Sequence, residues 1–238
     1  MNIPVIVIYL LSALIIPAAA YFIMKARPKS YFVGCGVFFV FALILEGAIN
    51  AALSTFFPKA FENIWFYAAY GGLMAGVFEE VGRYIAFRTL LKSDLGDDRT
   101  ALSYGAGHGG MEAFLVLISV ALNIFIASTV TGEQYKEAID QYMSIGVSDS
   151  LLAAAERIMA VAVHISLSVI VFFGAKKKKP ALLILAIALH AAFDGLLVVI
   201  NNFFGIVWAE VAVAVSAALL VWLSYSIWKG INKHADIR

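Results

Sequence analysis

Residues 65–91 have the sequence WFYAAYGGLMAGVFEEVGRYIAFRTLL, an apolar run that is long enough to cross a bilayer as one helix. Near its middle the run contains Glu79 and Glu80 side by side, and Arg83 follows three residues later. Each of these charges costs roughly 2.5–3.5 kcal/mol at the centre of a membrane-spanning helix. Ionisable residues at such positions are usually functional, so these three side chains are the first candidates for catalytic residues.

The composition indicates that the whole chain is an integral membrane protein. Its 238 residues are 63% hydrophobic and 14% charged, and the mean hydropathy is +0.91, whereas a soluble domain is about half apolar and about a quarter charged. We expect membrane lipid around the chain, and the net charge of +1 argues against nucleic acid as a partner. The single cysteine, Cys35, excludes an internal disulfide and a thiolate zinc cluster.

Seven apolar segments have the length of a membrane-spanning helix. They predict an all-α, polytopic bundle of about seven spans that forms a single integral membrane domain over residues 1–238. The first segment has no basic region before it and is longer than the apolar core of a signal peptide, so we expect it to be retained. The predicted spans are residues 3–24, 31–57, 65–91, 101–130, 151–174, 181–203 and 205–228.

The positive charges predict the orientation of these spans. If the N-terminus is outside and the C-terminus cytoplasmic, thirteen of the 17 basic residues lie in cytoplasmic segments, as the positive-inside rule requires. Lys59 and Lys136 lie outside, and Arg83 and Arg157 lie within spans. We expect the membrane to be a bacterial cytoplasmic membrane. The thirteen residues are Lys25, Arg27, Lys29, Arg88, Lys92, Arg99, Lys176, Lys177, Lys178, Lys179, Lys229, Lys233 and Arg238.

Two of the outer connections have informative sequences. Residues 131–150 alternate charged and apolar side chains at a spacing that fits a short amphipathic helix, lying on the outer surface or packing on the bundle as a connector. The sixth and seventh spans are nearly continuous, so the segment from Asn201 to Gly205 is expected to form a tight turn.

Ionisable side chains recur at a similar depth in four of the predicted spans. Because a helix rises about 1.5 Å per residue, the distance of a residue from the cytoplasmic end of its span gives its depth. Most of the groups fall into one layer roughly 14–20 Å from those ends. The groups are Glu79 and Glu80 in the third span, His108 and Glu112 in the fourth, His164 in the fifth, and His190 and Asp194 in the sixth.

The spacing within each helix also favours a shared site. His108 and Glu112 are four residues apart, as are His190 and Asp194, so each pair shares one helix face. Arg83 is three residues from Glu80 and four from Glu79, and either pairing is compatible with a helix. The sequence leaves open which glutamate Arg83 binds.

Further polar residues within the spans are candidates for a supporting role. Glu156 and Arg157 lie near the outer end of the fifth span, where we expect a local ion pair. Glu46 and Asn50 are four residues apart in the second span and are expected to form a contact between helices or to support the site. His234 in the C-terminal tail is assigned no role.

Three histidines and several carboxylates in one layer suit a divalent transition metal, and zinc fits these donors best. Imidazole nitrogen and carboxylate oxygen bind zinc at about 2.0–2.2 Å, and a catalytic site leaves one position for water. A neighbouring glutamate, Glu79 or Glu80, would accept a proton from that water. The candidate ligands are His108, Glu112, His164, His190 and Asp194.

These residues together resemble the YhfC-like family of intramembrane metallopeptidases. That family is similar to the CAAX prenyl protease and bacteriocin-processing superfamily and, more distantly, to the PrsW-type proteases. The resemblance covers the third to sixth spans and is expected to extend over the full length. Its motifs here are Glu79-Glu80-x-x-Arg83, Gly107-His108-Gly109-Gly110-x-Glu112, Glu156-Arg157 leading to His164, and His190-x-x-x-Asp194.

The resemblance implies roles for the first and last of these motifs. In CAAX-type proteases a glutamate of the first motif activates water, and this glutamate would be Glu79 or Glu80. Histidines of later motifs bind metal or stabilise the oxyanion. His190 and Asp194 match the third motif, which has His followed four residues later by Asn or Asp.

The middle of the chain departs from the superfamily pattern. The superfamily has Phe-x-x-x-His and PrsW-type proteins have glutamate at the last position, whereas this chain has His108-x-x-x-Glu112. Arg83 is one residue closer to the glutamates than in the superfamily. His164 has no counterpart there.

Two classes of function fit these observations. The leading hypothesis is a metal-dependent protease that cuts a peptide or a membrane protein within the membrane or near its cytoplasmic face. The alternative is a proton- or metal-coupled transporter, or a scaffold whose polar layer holds the helices together. Transporters often contain inverted repeats and line a path at several depths, whereas this chain has no visible repeat and its ionisable groups favour one depth.

Overall fold

A computed structural model describes residues 2–233 of the chain and the side chains of residues 2–231; His234 and Arg238 lie outside the described residues. Throughout this part of the chain the regular structure is helical, without a β-strand. A short helix, Pro58–Phe61, and 3₁₀ turns at Lys92–Asp94 and Glu133–Tyr135 lie in the connections. The main helices are α1 (Ile3–Ile23), α2 (Pro28–Phe56), α3 (Ile64–Arg88), α4 (Arg99–Ala127), α5 (Lys136–Met143), α6 (Val147–Lys177), α7 (Pro180–Phe204) and α8 (Ile206–Lys233).

Six of these helices, α1, α2, α4, α6, α7 and α8, are long and apolar enough to cross a membrane. The prediction of an all-α, polytopic membrane protein is therefore confirmed. The remaining long helix, α3, has 25 residues and corresponds to the predicted span that contains Glu79, Glu80 and Arg83. That α3 also crosses the membrane, that the N-terminus is outside, and that the chain forms a single domain stay predictions.

Local sequence signals explain several helix ends. Pro28 and Pro180 lie in the first turns of α2 and α7, where a missing N–H costs nothing. The Asn63 side chain accepts hydrogen bonds from the backbone N–H groups of Trp65 and Phe66, at 2.9 and 3.1 Å, and thereby caps α3.

The connection between α7 and α8 is tighter than the sequence indicated. Asn201 and Asn202 belong to the last turn of α7, so the prediction of a turn from Asn201 to Gly205 was wrong in its extent. The chain changes direction at Gly205, whose φ of +85° is accessible to glycine without strain. The amphipathic helix expected within residues 131–150 is present as α5, and Asn123 of α4 donates a hydrogen bond of 3.1 Å to Tyr142 Oη of α5.

Glycines allow the helices around the site to approach closely. Gly72 and Gly76 of α3 lie against the α7 backbone, and a Cβ at Gly72 would overlap the carbonyl oxygen of Ala191. In the same way Gly107 of α4 lies against the backbone of Tyr31 in α2. These contacts draw α3 to α7 and α4 to α2, which sets the distances between the polar side chains of the site.

A tightly packed apolar cluster fills the end of the bundle where the loops rich in lysine lie, which we call the lysine-rich end. Its fully buried members include Phe87, Leu91, Tyr104, Phe172 and Phe173. The rings of Phe87 and Phe172 meet edge to face with centroids 5.4 Å apart. The site lies immediately beyond this cluster.

The loop between α3 and α4 binds neighbouring helices at the same end. Lys29 of α2 donates to Asp94 at 2.7 Å, and this hydrogen bond lowers the pKa of the Asp94 carboxyl. Asp98 accepts hydrogen bonds from Lys176 of α6 at 2.7 Å and from Trp228 Nε1 of α8 at 2.9 Å. The loop therefore connects α2, α6 and α8 through side chains.

Candidate functional site

Side chains from four helices meet in one buried cluster. Glu79 of α3 places Oε2 at 2.8 Å from Nε2 of His108 in α4 and at 3.7 Å from Nδ1 of His164 in α6. His190 of α7 lies next to His164, with ring centroids 5.5 Å apart, and the rings of His108 and His164 are 5.1 Å apart. The structure therefore brings together histidines that are far apart in sequence.

Small residues explain why α4 and α6 can hold two imidazoles so close together. A methyl group on Gly109 would lie 3.0 Å from Cβ of His164 and from Cα of Val161. Gly105, one turn earlier in α4, lies against the α6 backbone at Ile165. Larger side chains at these glycines would push the helices apart and separate His108 from His164.

The two adjacent glutamates have different surroundings. Neighbouring side chains on a helix point about 100° apart. The side chain of Glu80 is completely buried, where it accepts hydrogen bonds from Arg83 Nη1 at 3.0 Å and from His190 Nδ1 at 2.8 Å. Glu79 instead faces His108 and the cavity described below. Arg83 thus binds the glutamate three residues away.

Arg83 and Glu80 also orient two of the imidazoles. Because arginine can only donate, the contact of 3.2 Å between Arg83 Nη2 and His164 Nδ1 makes Nδ1 the acceptor. The Nε2–H of His164 then points to Glu112 Oε2, its close ion-pair partner. His190 donates from Nδ1 to Glu80 and directs Nε2 towards Asp194 Oδ2, 3.4 Å away.

Arg157 contacts the cluster through Glu112. The predicted pair with Glu156 is present, at 2.5 Å between Arg157 Nη2 and Glu156 Oε1. Arg157 Nη1 also binds Glu112 Oε1 at 2.6 Å. Through Glu112 this ion pair reaches His164, so Glu156 and Arg157 belong to the surroundings of the cluster.

Glu46 and Asn50 form a contact between helices. Asn50 donates to Glu46 Oε1 at 3.1 Å and accepts from Tyr70 Oη of α3 at 2.7 Å. Within the described residues, no hydrogen bond or ion pair joins either of them to Glu79 or the histidines. Glu46 ends a π-helical segment of α2, Phe38–Glu46, which the sequence analysis did not predict.

Tyr104 is a neighbour of the cluster that the sequence analysis missed. Its ring stacks on His108 with centroids 5.8 Å apart, and the guanidinium of Arg83 lies 6.0 Å from its centroid. The available signal was its position four residues before His108, on the same face of α4. The edge of Phe38 contacts His108 from the other side, at 5.1 Å between centroids.

A cavity of about 230 Å³ adjoins the cluster. Its polar lining includes Glu79, Glu112, His164, His190 and Asp194, whereas Glu80, Arg83 and His108 lie behind the wall. The apolar lining consists of Ala160, Val163, Phe193, Leu197, Val198 and Val213. A larger, mostly apolar cavity of about 410 Å³ lies between α4, α6 and α8. None of the glutamates and histidines of the site lines it.

The donor atoms of the cluster fit a divalent metal. Glu79, His108 and His164 each offer one ligating atom, and these atoms lie within 4.8 Å of one another. Nitrogen and oxygen donors of this kind suit zinc. In addition, Nδ1 of His108 is buried and has no hydrogen-bond partner in the described part of the chain.

The expected ligands divide into two groups. His108 and His164 belong to the compact set, which also contains Glu79, a residue expected to be catalytic. The other three expected ligands lie beside this set. His190 contacts Asp194, and Glu112 contacts His164.

Comparisons with known proteins agree with the motifs. Residues 10–217 match the model of a family described as YhfC intramembrane metalloprotease. The chain is 35% identical over 216 residues to a Bacillus subtilis (strain 168) protein described as an uncharacterized membrane protein, YhfC. The match covers 84% of this chain and 83% of the relative. No solved structure matches the chain.

These matches confirm the resemblance to the YhfC-like family and the membrane location, while the relationship to CAAX-type and PrsW-type proteases stays a prediction. The chain belongs to the YhfC intramembrane metalloprotease family.

Proposed function

We propose that this protein is a metal-dependent endopeptidase that hydrolyses a peptide bond within the membrane, with Glu79 activating the attacking water. The observation that supports it most is the contact of Glu79 with two imidazoles, those of His108 and His164, at the wall of a cavity. Membership of a family named for intramembrane metalloproteases points in the same direction.

Glu79 is the carboxylate best placed to take up a proton. Glu80 is bound by Arg83, and Arg157 binds both Glu112 and Glu156. An arginine partner stabilises the ionised carboxylate and so weakens it as a proton acceptor. In the described part of the cavity wall, Glu79 Oε2 lies near two imidazoles, those of His108 and His164, and Glu79 forms no ion pair with an arginine.

The chemistry of the donors favours three imidazoles as metal ligands. His108, His164 and His190 would hold a divalent ion, zinc being the best match, with one nitrogen of His164 released from its bond to Arg83 or Glu112. The ion would supply Lewis acidity to the water and the substrate carbonyl. The carboxylate of Glu80 on Nδ1 of His190 is the kind of support that keeps a ligating histidine in one orientation.

The protein's own residues then account for the proton transfers. Glu79 accepts a proton from water while the water oxygen bonds to the carbonyl carbon of the substrate. The carbon–nitrogen bond breaks, and Glu79 returns the proton to the departing amine nitrogen. The products are a carboxylic acid and an amine, so atoms and charges balance.

The experiment compares membrane fractions of cells that produce the wild-type protein or the E79Q variant. Newly formed peptide termini are identified by mass spectrometry. We expect termini that appear with wild type and are missing with E79Q, because glutamine keeps the shape of the side chain and cannot accept the proton. Identical sets of termini would contradict hydrolysis by this site.

A non-catalytic scaffold is the second candidate, and one observation favours it. Arg83 and His190 both bind Glu80. His164 and Arg157 both bind Glu112, so the protein itself satisfies much of the polar layer. This alternative predicts that the purified protein contains no stoichiometric metal and that E79Q leaves the set of termini unchanged.

A further inference from the structure

The cavity beside the cluster extends in one direction only. Along α7 it passes from His190 to Leu197 and Val198, and along α6 from His164 back to Glu156. On α8 it includes Val213, seven residues after the helix begins. The helices α6 and α8 begin, and α7 ends, at the end of the bundle opposite the lysine-rich end. All these positions therefore lie towards that opposite end.

Directly behind the site, on the side of the lysine-rich end, the bundle is filled, and the larger cavity between α4, α6 and α8 is lined by no residue of the site. Arg83 and Phe87 of α3, Tyr104 of α4 and Phe172 of α6 have no exposed surface. The ring of Phe87 lies 4.8 Å from that of Tyr104, between centroids, which continues the apolar cluster across the bundle. Among the described residues this layer separates Glu79 from the lysine-rich loops.

The exposure of the carboxylates follows the same direction. Glu80, next to the filled layer, is completely buried, whereas Glu156 and Asp194 lie towards the opposite end. The fully buried carboxylate lies beside the filled layer and the two most exposed ones lie towards the opposite end, which agrees with the direction of the cavity. The exposed fraction of the side chain is 0% for Glu80, 9% for Glu79, 17% for Glu112, 31% for Glu156 and 35% for Asp194.

We infer that water and substrate reach Glu79 from the end of the bundle opposite the lysine-rich loops, which the positive-inside rule places outside the cytoplasm. The direction of access follows from the geometry of the cavity, whereas the existence of a substrate rests on the proposed function. The sequence alone favoured cleavage within the membrane or near its cytoplasmic face. The cavity instead indicates a substrate whose scissile bond lies in the outer half of the membrane or at its outer surface.

The walls of the cavity narrow the chemistry of that substrate. The wall has an apolar part, which includes Phe193, Leu197 and Val213, and a charged part, which includes Glu156, Arg157 and Asp194. The segment around the scissile bond should therefore present apolar side chains to the first part and polar groups to the second. The volume of about 230 Å³ is below the roughly 300–1,000 Å³ of pockets that hold drug-sized ligands. Such a space admits a short, unwound segment of a membrane-anchored peptide and excludes an intact helix, whose diameter is about 10–12 Å.

Single-cysteine variants test the direction of access. Cys35, the only native cysteine, is buried and is first replaced by alanine. V198C is then introduced at the cavity, with L197C as a second probe in case V198C does not fold. A membrane-impermeant maleimide is added to intact cells or to inside-out membrane vesicles.

Three matched variants serve as controls. Q134C, in the connection between α4 and α6, should be labelled in intact cells, and K177C, at the lysine-rich end, in inside-out vesicles. V171C, in the filled layer, should be labelled from neither face because Val171 has no exposed surface. These variants establish which face each preparation presents.

We expect V198C and L197C to be labelled in intact cells and to lose labelling in inside-out vesicles. Labelling of either residue only from the cytoplasmic face, or of neither residue from either face, would overturn the inference. Labelling does not require catalysis. Identical peptide termini with wild type and E79Q would therefore end the proposal of hydrolysis without affecting this result.

Discussion

Arg83 Nη1 donates a hydrogen bond of 3.0 Å to Oε2 of Glu80, and both side chains are completely buried. This pairing distinguishes the surroundings of two adjacent glutamates that the sequence could not tell apart. Glu80 has a fixed charged partner and holds His190, whereas Glu79 faces His108 and the cavity. We therefore propose that Glu80 and Arg83 are positioning residues.

Replacing each glutamate by glutamine should give different results. E79Q removes the proton acceptor, and loss of a general base typically lowers the rate by about 10²–10⁴-fold. E80Q removes the counter-charge of Arg83, and breaking a buried ion pair typically costs roughly 3–5 kcal/mol of stability. We expect E79Q to lose cleavage with little change in Tm, and E80Q to lower Tm.

Both variants are purified in the same detergent for thermal unfolding, and membrane fractions of the producing cells are used for the analysis of peptide termini described above. Glu62, in an exposed connection, supplies a matched Glu-to-Gln control that should change neither quantity. A fall in Tm for E79Q equal to that for E80Q would contradict the separation of roles.

Replacing Arg83 should destabilise the protein through Glu80. In R83M the Glu80 carboxylate keeps its contact with His190 but loses its only arginine partner in the described structure. A buried charge left without its partner costs roughly 3–5 kcal/mol. The matched control is R88M in the same helix, where the guanidinium is partly exposed and donates to the Ala175 carbonyl oxygen at 3.3 Å.

Thermal unfolding in detergent should give a much lower Tm for R83M than for R88M. Combining R83M with E80Q should recover part of the loss, because the double variant no longer buries an unpaired charge. Additive losses in the double variant would show that Arg83 and Glu80 are not energetically coupled.

Much of the fold could be predicted from the sequence because each long helix corresponds to an apolar run. The run around Glu79 became α3 within a few residues at each end, and the alternating pattern of residues 131–150 contains α5. These predictions use only local information, namely hydrophobicity and its period. The extent of the last turn was mispredicted because Asn201 and Asn202 can end a helix as well as form a turn.

The arrangement within the site could not be derived from spacing. Helical spacing permits Arg83 to bind Glu79 or Glu80, and the choice depends on how α3 is rotated relative to His190 on α7. Tyr104 lies one turn before His108 on α4, but its contacts with Arg83 and Phe87 depend on how α3 packs against α4. Rotation and approach of helices are set by packing between distant segments, which one sequence does not reveal.

Metal content should distinguish ligands from the proton acceptor. H108A, H164A and H190A each remove a proposed nitrogen ligand, so the purified variants should contain less metal than wild type by inductively coupled plasma mass spectrometry. E79Q should retain the metal. H234A is a suitable control because His234 lies outside the described residues and is assigned no role.

Loss of metal in E79Q together with the histidine variants would identify Glu79 as a ligand and contradict its role as the base. Removal of metal from wild type by a chelator should abolish cleavage, and adding back zinc should restore it. Full cleavage after the metal has been removed would contradict a metal-dependent reaction.

Two adjacent glycines test how α3 is held against α7. In G72A the new methyl group would overlap the carbonyl oxygen of Ala191 and approach the backbone nitrogen of Gly195, whereas a Cβ at Gly71 has nothing within 4 Å. Overpacking typically costs about 1–3 kcal/mol. An alanine without new contacts is favoured over glycine in a helix by about 0.5–1 kcal/mol.

We therefore expect G72A to lower Tm and G71A to leave it unchanged or raise it. G72A should also reduce cleavage, because moving α3 away from α7 separates Glu80 from His190, which lies one residue before Ala191. Equal changes in Tm for the two variants would show that the close approach at Gly72 does not hold the helices together. A lower Tm with full cleavage would show that the position of His190 tolerates this movement.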